Sequence, residues 1–175
     1  SYSAIDMHCG TIQIETPHDK VLLELNLKLN ATYVPYGSLG QAGRERQLDQ
    51  DRNAGHVGVA SSASRAAAKG TPLYDNSGWD LVDGVARKKV AVRDLKESDL
   101  PAAMQAMPAE KREEFVETQT RARADIQKQI AEVSLAREQF LHNSRAQSAG
   151  GKQALDEAMI DALRTQAKAK GFKFE

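Results

Sequence analysis

The chain has 175 residues, of which 41% are hydrophobic, 5% aromatic and 27% charged. That is lean in apolar and aromatic content for one large spherical core and suits an extended helical shape. Its 24 basic and 24 acidic residues are interleaved, unlike the one-sided basic excess of a nucleic-acid-binding protein, and no apolar run approaches the ~20 residues of a membrane-spanning helix.

Residues 2–15 alternate in the strand manner around His8-Cys9-Gly10, with Ile12 and Ile14 set between Thr11, Gln13 and Glu15. The pattern predicts two short strands joined at Gly10, a pair that needs another element to cover it. In residues 21–29, Leu22, Leu25 and Leu29 form a helical stripe, while the odd-numbered residues also alternate like a strand. The ends decide between the two. Thr16 as N-cap, Pro17 at the first helical position and Asp19 in the first turn predict a helix over 17–31.

Residues 32–39, with Tyr33, Pro35 and Tyr36, read as an ordered loop. Small and polar residues predict helices over 41–53 and 60–69, interrupted by Gly55 and Gly58. Pro72 marks a break. Ser77 is expected to cap a short helix turning Trp79 and Val82 inward, with Asp75, Asp80 and Asp83 capping helices and facing water. Asp94 and Leu95 start another short helix, and Ser98 with Pro101 a third. From Pro108 to Gln147 no glycine or further proline occurs, and roughly 38 helical residues would span about 57 Å. Ile126, Val133 and Phe140 repeat at seven, with Ile130 between them, the narrow stripe of a coiled-coil seam. Residues 110–145 carry seven positive and seven negative side chains, read as a solvated face. After a polar hinge at 148–151, Leu155, Ala158, Met159, Ala162 and Leu163 predict a second arm folded back on 126–141.

No chemistry stands out. His8, His18, His56 and His142 lack ligand-like spacing. Cys9, the single cysteine, excludes an internal disulfide and reads as a small buried hydrophobe. The aspartates around Trp79 lack the alternate spacing and closing glutamate of a calcium loop. Gly37-Ser38-Leu39-Gly40 has no lysine at phosphate-loop spacing and reads as a turn.

Taken in order, Ser1-Tyr2-Ser3-Ala4-Ile5-Asp6, Thr16-Pro17-His18-Asp19, Thr32-Tyr33-Val34-Pro35-Tyr36-Gly37, Trp79-Asp80-Leu81-Val82-Asp83, Asp99-Leu100-Pro101 and Lys170-Gly171-Phe172-Lys173-Phe174-Glu175 resemble the C-terminal portion of bacterial proteins built on a von Willebrand factor type A domain. The resemblance implies that the opening strand and the following helix are the last strand and helix of such a domain, and that the remainder is a helical extension. It also implies export, to the periplasm or outside the cell. The family's metal site uses an Asp-x-Ser-x-Ser signature near the start of the domain. This chain has none, since Asp75-Asn76-Ser77 lies in a different place, so no metal residues carry over. The chain opens on Ser1 without a signal peptide, as expected of a fragment or processed form.

The expected fold is mainly α, with a small N-terminal β-hairpin, several helices and a long antiparallel helical hairpin. Its segments are 1–37, the type A domain edge; 38–107, a small helical region; and 108–175, the hairpin. The expected function is a non-catalytic protein–protein interaction or scaffold module, with a self-assembling subunit as the alternative and a metal-dependent hydrolase behind both. The candidate interface is Leu22, Leu25, Leu29, Ile126, Ile130, Val133 and Phe140, with Trp79 as core anchor. The expected partner is a protein or a second copy. No cofactor, metal, catalytic residue or nucleic-acid partner is expected.

Overall fold

The computed structural model describes residues 14–148. Its α-helices are, in chain order, α1 (Asp19–Ala31), α2 (Gly40–Val57), α3 (Val59–Lys69), α4 (Leu81–Ala86), α5 (Ala102–Gln105) and α6 (Ala109–Ser148), with 3-10 turns at Val92–Asp94 and Glu97–Asp99. The chain divides into two units at Arg137/Glu138, within α6. The first contains every element up to that point. The described part of the second is the end of α6, where Phe140 is 38% exposed.

Local chemistry sets the helix ends. The Thr16 amide donates to Asp19 Oδ2 at 2.9 Å and the Thr16 hydroxyl donates to Oδ1 at 2.8 Å. The hydroxyl also accepts from the His18 amide at 3.3 Å. This reciprocal clasp fixes the turn just ahead of α1, whose N-cap is His18 without a side-chain bond and not Thr16 as expected, so the helix starts at Asp19. Between α2 and α3 the chain turns on Gly58, whose φ of 146° is closed to side-chain-bearing residues without strain. Gly55, expected to interrupt, is held inside α2.

The short helix α4 is capped by Asp80, whose side chain accepts from the Asp83 amide, rather than by Ser77. Its C-terminus closes in a Schellman arrangement: the Lys89 amide donates to the Gly84 carbonyl at 2.9 Å and the Lys88 amide to the Val85 carbonyl at 3.0 Å. Lys88 has φ 57° at the position where glycine is usual. A left-handed lysine there costs about 1 kcal/mol relative to glycine.

Two apolar clusters form the interior of the first unit. One gathers Leu22, Leu25 and Leu29 of α1, Tyr33, Ala63 and Ala66 of α3, and Ile130 of α6, with Leu23, Trp79, Ile126 and Val133 packed against it. The alanines of α3 let the helices approach closely. Gly70, just past α3, does the same for α6, since a Cβ there would lie 2.4 Å from Ile130 Cγ2. The other cluster gathers Val34, Leu81, Val82, Val92, Leu100, Met104 and Val116. Each buried aliphatic side chain contributes about 1.5–3 kcal/mol.

The expected N-terminal β-hairpin is corrected. The described residues contain no strand or sheet, only an isolated antiparallel bridge between Pro35 and Asp80. Ile14 and Glu15 carry no secondary structure, and the rest of that expectation falls on residues outside those described. The apolar face of α1 that such a pair would use for cover is already filled by α3 and α6. Of the expected long helical hairpin, the first arm is present as α6. Its second arm, including Leu155 and Leu163, lies outside the described residues, while Ile126, Ile130 and Val133 of the first arm pack against the α1 and α3 cluster. The three expected segments do not partition the core, because α1, α3 and α6 come from different ones and share a single cluster.

Candidate functional site

Asp51, on α2, sits at the centre of a polar cluster between α1 and α3. Its Oδ2 accepts from Asn26 Nδ2 at 3.0 Å, Asn30 Nδ2 at 2.8 Å and Lys69 Nζ at 2.8 Å, and Oδ1 accepts from Arg65 Nε at 2.5 Å. Asn30 Oδ1 in turn accepts from Lys69 at 2.5 Å and from Gln47 Nε2 at 2.9 Å. The Lys69 side chain is wholly buried and Asp51 is 14% exposed. Burial pushes the Asp51 carboxyl up, but its bonds to Lys69 and Asn30 outweigh that and hold it down at about 2. Burial lowers the Lys69 ammonium to about 8, the Asp51 carboxylate offsetting only part of the effect. A lysine poised near neutrality has the electronic character of a base or nucleophile. With no exposed side-chain surface it cannot meet a substrate, so its role is to neutralise Asp51 and join α3 to α1 and α2.

Above this cluster lies a groove of about 590 Å³, lined by Leu23, Leu27, Leu48 and Ala54 around Asn26, Asp51 and Arg65. Leu27 is 69% exposed and Leu48 40%. The amide oxygen of Asn26 is buried and accepts no hydrogen bond. Arg65 is braced on the other side, donating to the Tyr74 hydroxyl at 3.2 Å. The polar groups of the floor therefore bind mainly one another, and the rim presents leucine to solvent.

A second polar assembly ties α6 down. Arg123 Nη1 contacts Asp80 Oδ2 at 2.5 Å and Asp83 Oδ1 at 2.6 Å. Its Nε and Nη2 donate to the Thr32 hydroxyl at 3.0 Å and the Thr32 carbonyl at 2.7 Å. Its guanidinium lies 4.4 Å from the centre of the Tyr33 ring. Asp80 Oδ1 also accepts from the Val34 amide at 2.7 Å. Burial raises the Asp80 carboxyl despite the facing guanidinium. About four turns further along α6, Arg137 Nε reaches Asp19 Oδ1 at 2.6 Å and Nη2 donates to the Ala60 carbonyl at 3.2 Å. Burial acts to raise Asp19, but the Thr16 amide and Arg137 prevail and hold it below the ordinary carboxylate value.

Of the candidate interface residues, Leu22, Leu25, Leu29 and Ile130 are buried and Ile126 and Val133 partly buried, all in one cluster within the first unit. Phe140 belongs to the second unit. Trp79 is half-buried, its ring 5.4 Å from that of Tyr33, and it presses on Gly43 so closely that a Cβ there would meet Trp79 Cγ at 2.3 Å. Asp80 caps a helix as expected of it but is fully buried instead of facing water. Asp75 is at the surface, with Arg87 at 3.1 Å and Lys89 at 3.6 Å. Sequence reasoning missed Asp51, Lys69, Arg123 and Arg137, because charged residues in helices rich in charge read as solvated.

Among the described residues no three histidine, cysteine, aspartate or glutamate side chains are grouped to hold a metal ion, and no helix is long and apolar enough to cross a membrane. His8 and Cys9 lie outside the described residues. Comparison with protein-family models, with curated proteins and with solved structures gave no match.

Proposed function

We propose that this chain is a non-catalytic module that binds or scaffolds another protein. The observation that carries the reading is the groove between α1 and α2, where exposed Leu27 and Leu48 flank ionic groups already paired among themselves. A surface of this kind offers apolar contact and shape with little free charge, which suits a protein partner better than a small polar substrate. The motif resemblance to bacterial proteins built on a von Willebrand factor type A domain supports an exported setting, periplasmic or secreted, for such a module.

Photo-crosslinking from position 27, in an extract of the cells that make the protein, tests the reading. A discrete adduct with a second protein, lost in Leu48→Glu, is expected, with helicity and unfolding midpoint unchanged. Crosslinking no stronger than from an exposed site outside the groove, such as Lys128, would refute it. The alternative is a self-assembling subunit, favoured by Leu135, which is 58% exposed on the side of α6 away from its buried residues. Light scattering over a hundredfold concentration range separates the two. An oligomer dissociated by Leu135→Glu supports self-assembly, and a monomer throughout supports a foreign partner.

A further inference from the structure

A second groove, of about 1130 Å³, runs between the segment after α4 and the first turns of α6. Its floor is valine: Val85 and Val90 half-buried, Val92 and Val116 buried. One wall carries Glu110, Glu113, Glu114 and Glu117 on α6, and the other carries Lys88, Lys89 and Arg93 with a single acid, Asp94, among them. Among the described residues no ion pair crosses the groove. Glu114 pairs with Lys111, Glu117 with Arg121 and Lys89 with Asp75, each on its own side. Glu110 and Glu113 on one wall, and Lys88 and Arg93 on the other, face the opening exposed.

Acids at the start of a helix are explained by its dipole. Lys88 and Lys89, just past the end of α4, are placed by a dipole in the same way, but Arg93 is not, and Lys88 is telling for its backbone. It holds φ 57° at the position just past the C-cap of α4, where glycine would sit without strain. Its exposed side chain lines the groove and makes no ion pair among the described residues.

We propose that this groove docks an amphipathic helix from a partner protein, its apolar stripe on the valine floor, basic side chains along one edge and acidic side chains along the other. Charge complementarity selects this occupant. The basic edge answers Glu110 and Glu113, and the acidic edge answers Lys88 and Arg93. The inference rests on the protein-binding reading above but uses a different surface, so it fails separately.

The probe is a display library of helical peptides, 14 residues long, varied in the apolar stripe and in the charge of each edge, selected against the whole chain. Enrichment of peptides with one basic and one acidic edge is expected, with affinity falling as salt rises. Against Glu110→Lys/Glu113→Lys the selection should move to peptides acidic on both edges, and peptides from the first selection should weaken about tenfold or more. Lys88→Gly should raise the urea midpoint, by removing the left-handed strain, and yet weaken peptide binding. A lysine with only a structural role would not give that combination. No enrichment against the whole chain, or the same peptides enriched with and without the charge reversal, overturns the proposal. So does concentration-dependent self-association abolished by Glu110→Lys/Glu113→Lys, which would make a second copy the occupant.

Discussion

The guanidinium of Arg123, in the middle of α6, meets the carboxylate of Asp80, the N-cap of α4, at 2.5 Å with both side chains almost fully withdrawn from solvent. One carboxylate thereby caps a helix, receives the Val34 amide and anchors a residue 43 positions away. Arg123→Leu removes the cation and leaves Asp80 charged and buried. Losing one partner of a buried pair costs about 3–5 kcal/mol. A urea midpoint shifted down by that amount is expected. Arg123→Lys should recover only part of the loss, because an ammonium cannot serve Asp80, Asp83 and Thr32 together. A change below about 1 kcal/mol in Arg123→Leu would show that the pair is solvated in solution.

The Asp51 cluster makes an asymmetric prediction. Asp51→Asn strands Lys69 in a site with no exposed side-chain surface, and a loss of about 3–5 kcal/mol is expected in chemical denaturation. Lys69→Met leaves Asp51 bonded to Arg65, Asn26 and Asn30, and Asn30 Oδ1 still bonded to Gln47. An apolar side chain of similar length removes the cost of burying an ammonium, so this variant should lie within about 1 kcal/mol of the parent. Equal losses for the two would show that the cluster acts as one unit.

The same pair fixes a dependence on pH. The folded Asp51 carboxyl is depressed to about 2 from an ordinary 3.8. Its contribution is therefore complete above the unfolded value and disappears as pH falls through 4 towards 2. The depression corresponds to about 2 kcal/mol. Lys69 has the opposite sign. Its folded value of about 8 lies below the ordinary 10.5, so its burial costs stability below pH 8, and the cost is relieved as pH rises towards 10.5. Across that alkaline window the parent should gain stability relative to Lys69→Met, which has no such group to relieve. A gap that stays constant would mean that Lys69 titrates normally.

Much of the helical layout was legible, because Thr16, Gly58 and Pro108 punctuate the chain and Leu22, Leu25 and Leu29 mark a face. The seam of α6 was half legible. Its fully buried residues among those described are Val116, Arg123 and Ile130, and Arg137 follows at the same spacing of seven. The apolar repeat Ile126, Val133, Phe140 runs parallel to it, three positions on, and its first two members pack against the core from partly buried positions. Hydrophobicity led to the shallower row because two of the four deeper positions are arginine. Arginines fourteen apart, in the same seven-residue register as buried Val116 and Ile130, were the available signal. The groove behind Leu27 and Leu48 was not legible, since an exposed leucine looks the same in sequence as a buried one. The β-hairpin expectation rested on alternation in residues 2–15, of which the described Ile14 and Glu15 carry no secondary structure.

Gly43 offers a test of packing alone. It lies beneath Trp79, and the Cβ of an alanine there would fall 2.3 Å from Cγ and 2.6 Å from Cδ2 of the indole. The ring atoms nearest the helix cannot swing aside without moving Trp79 off Tyr33. Overpacking of this kind costs about 1–3 kcal/mol, against a gain of up to about 1 kcal/mol from replacing glycine with alanine inside a helix. Gly43→Ala should therefore be destabilising on balance, with an altered tryptophan emission and near-ultraviolet spectrum. Gly55, in the same helix, has no close atom but Ser62 Oγ at 3.9 Å, so Gly55→Ala should stabilise by about the helix-propensity difference. Opposite signs for the two alanines would place the effect at the indole. A stabilising Gly43→Ala with unchanged emission would mean that Trp79 does not lie on α2 in solution.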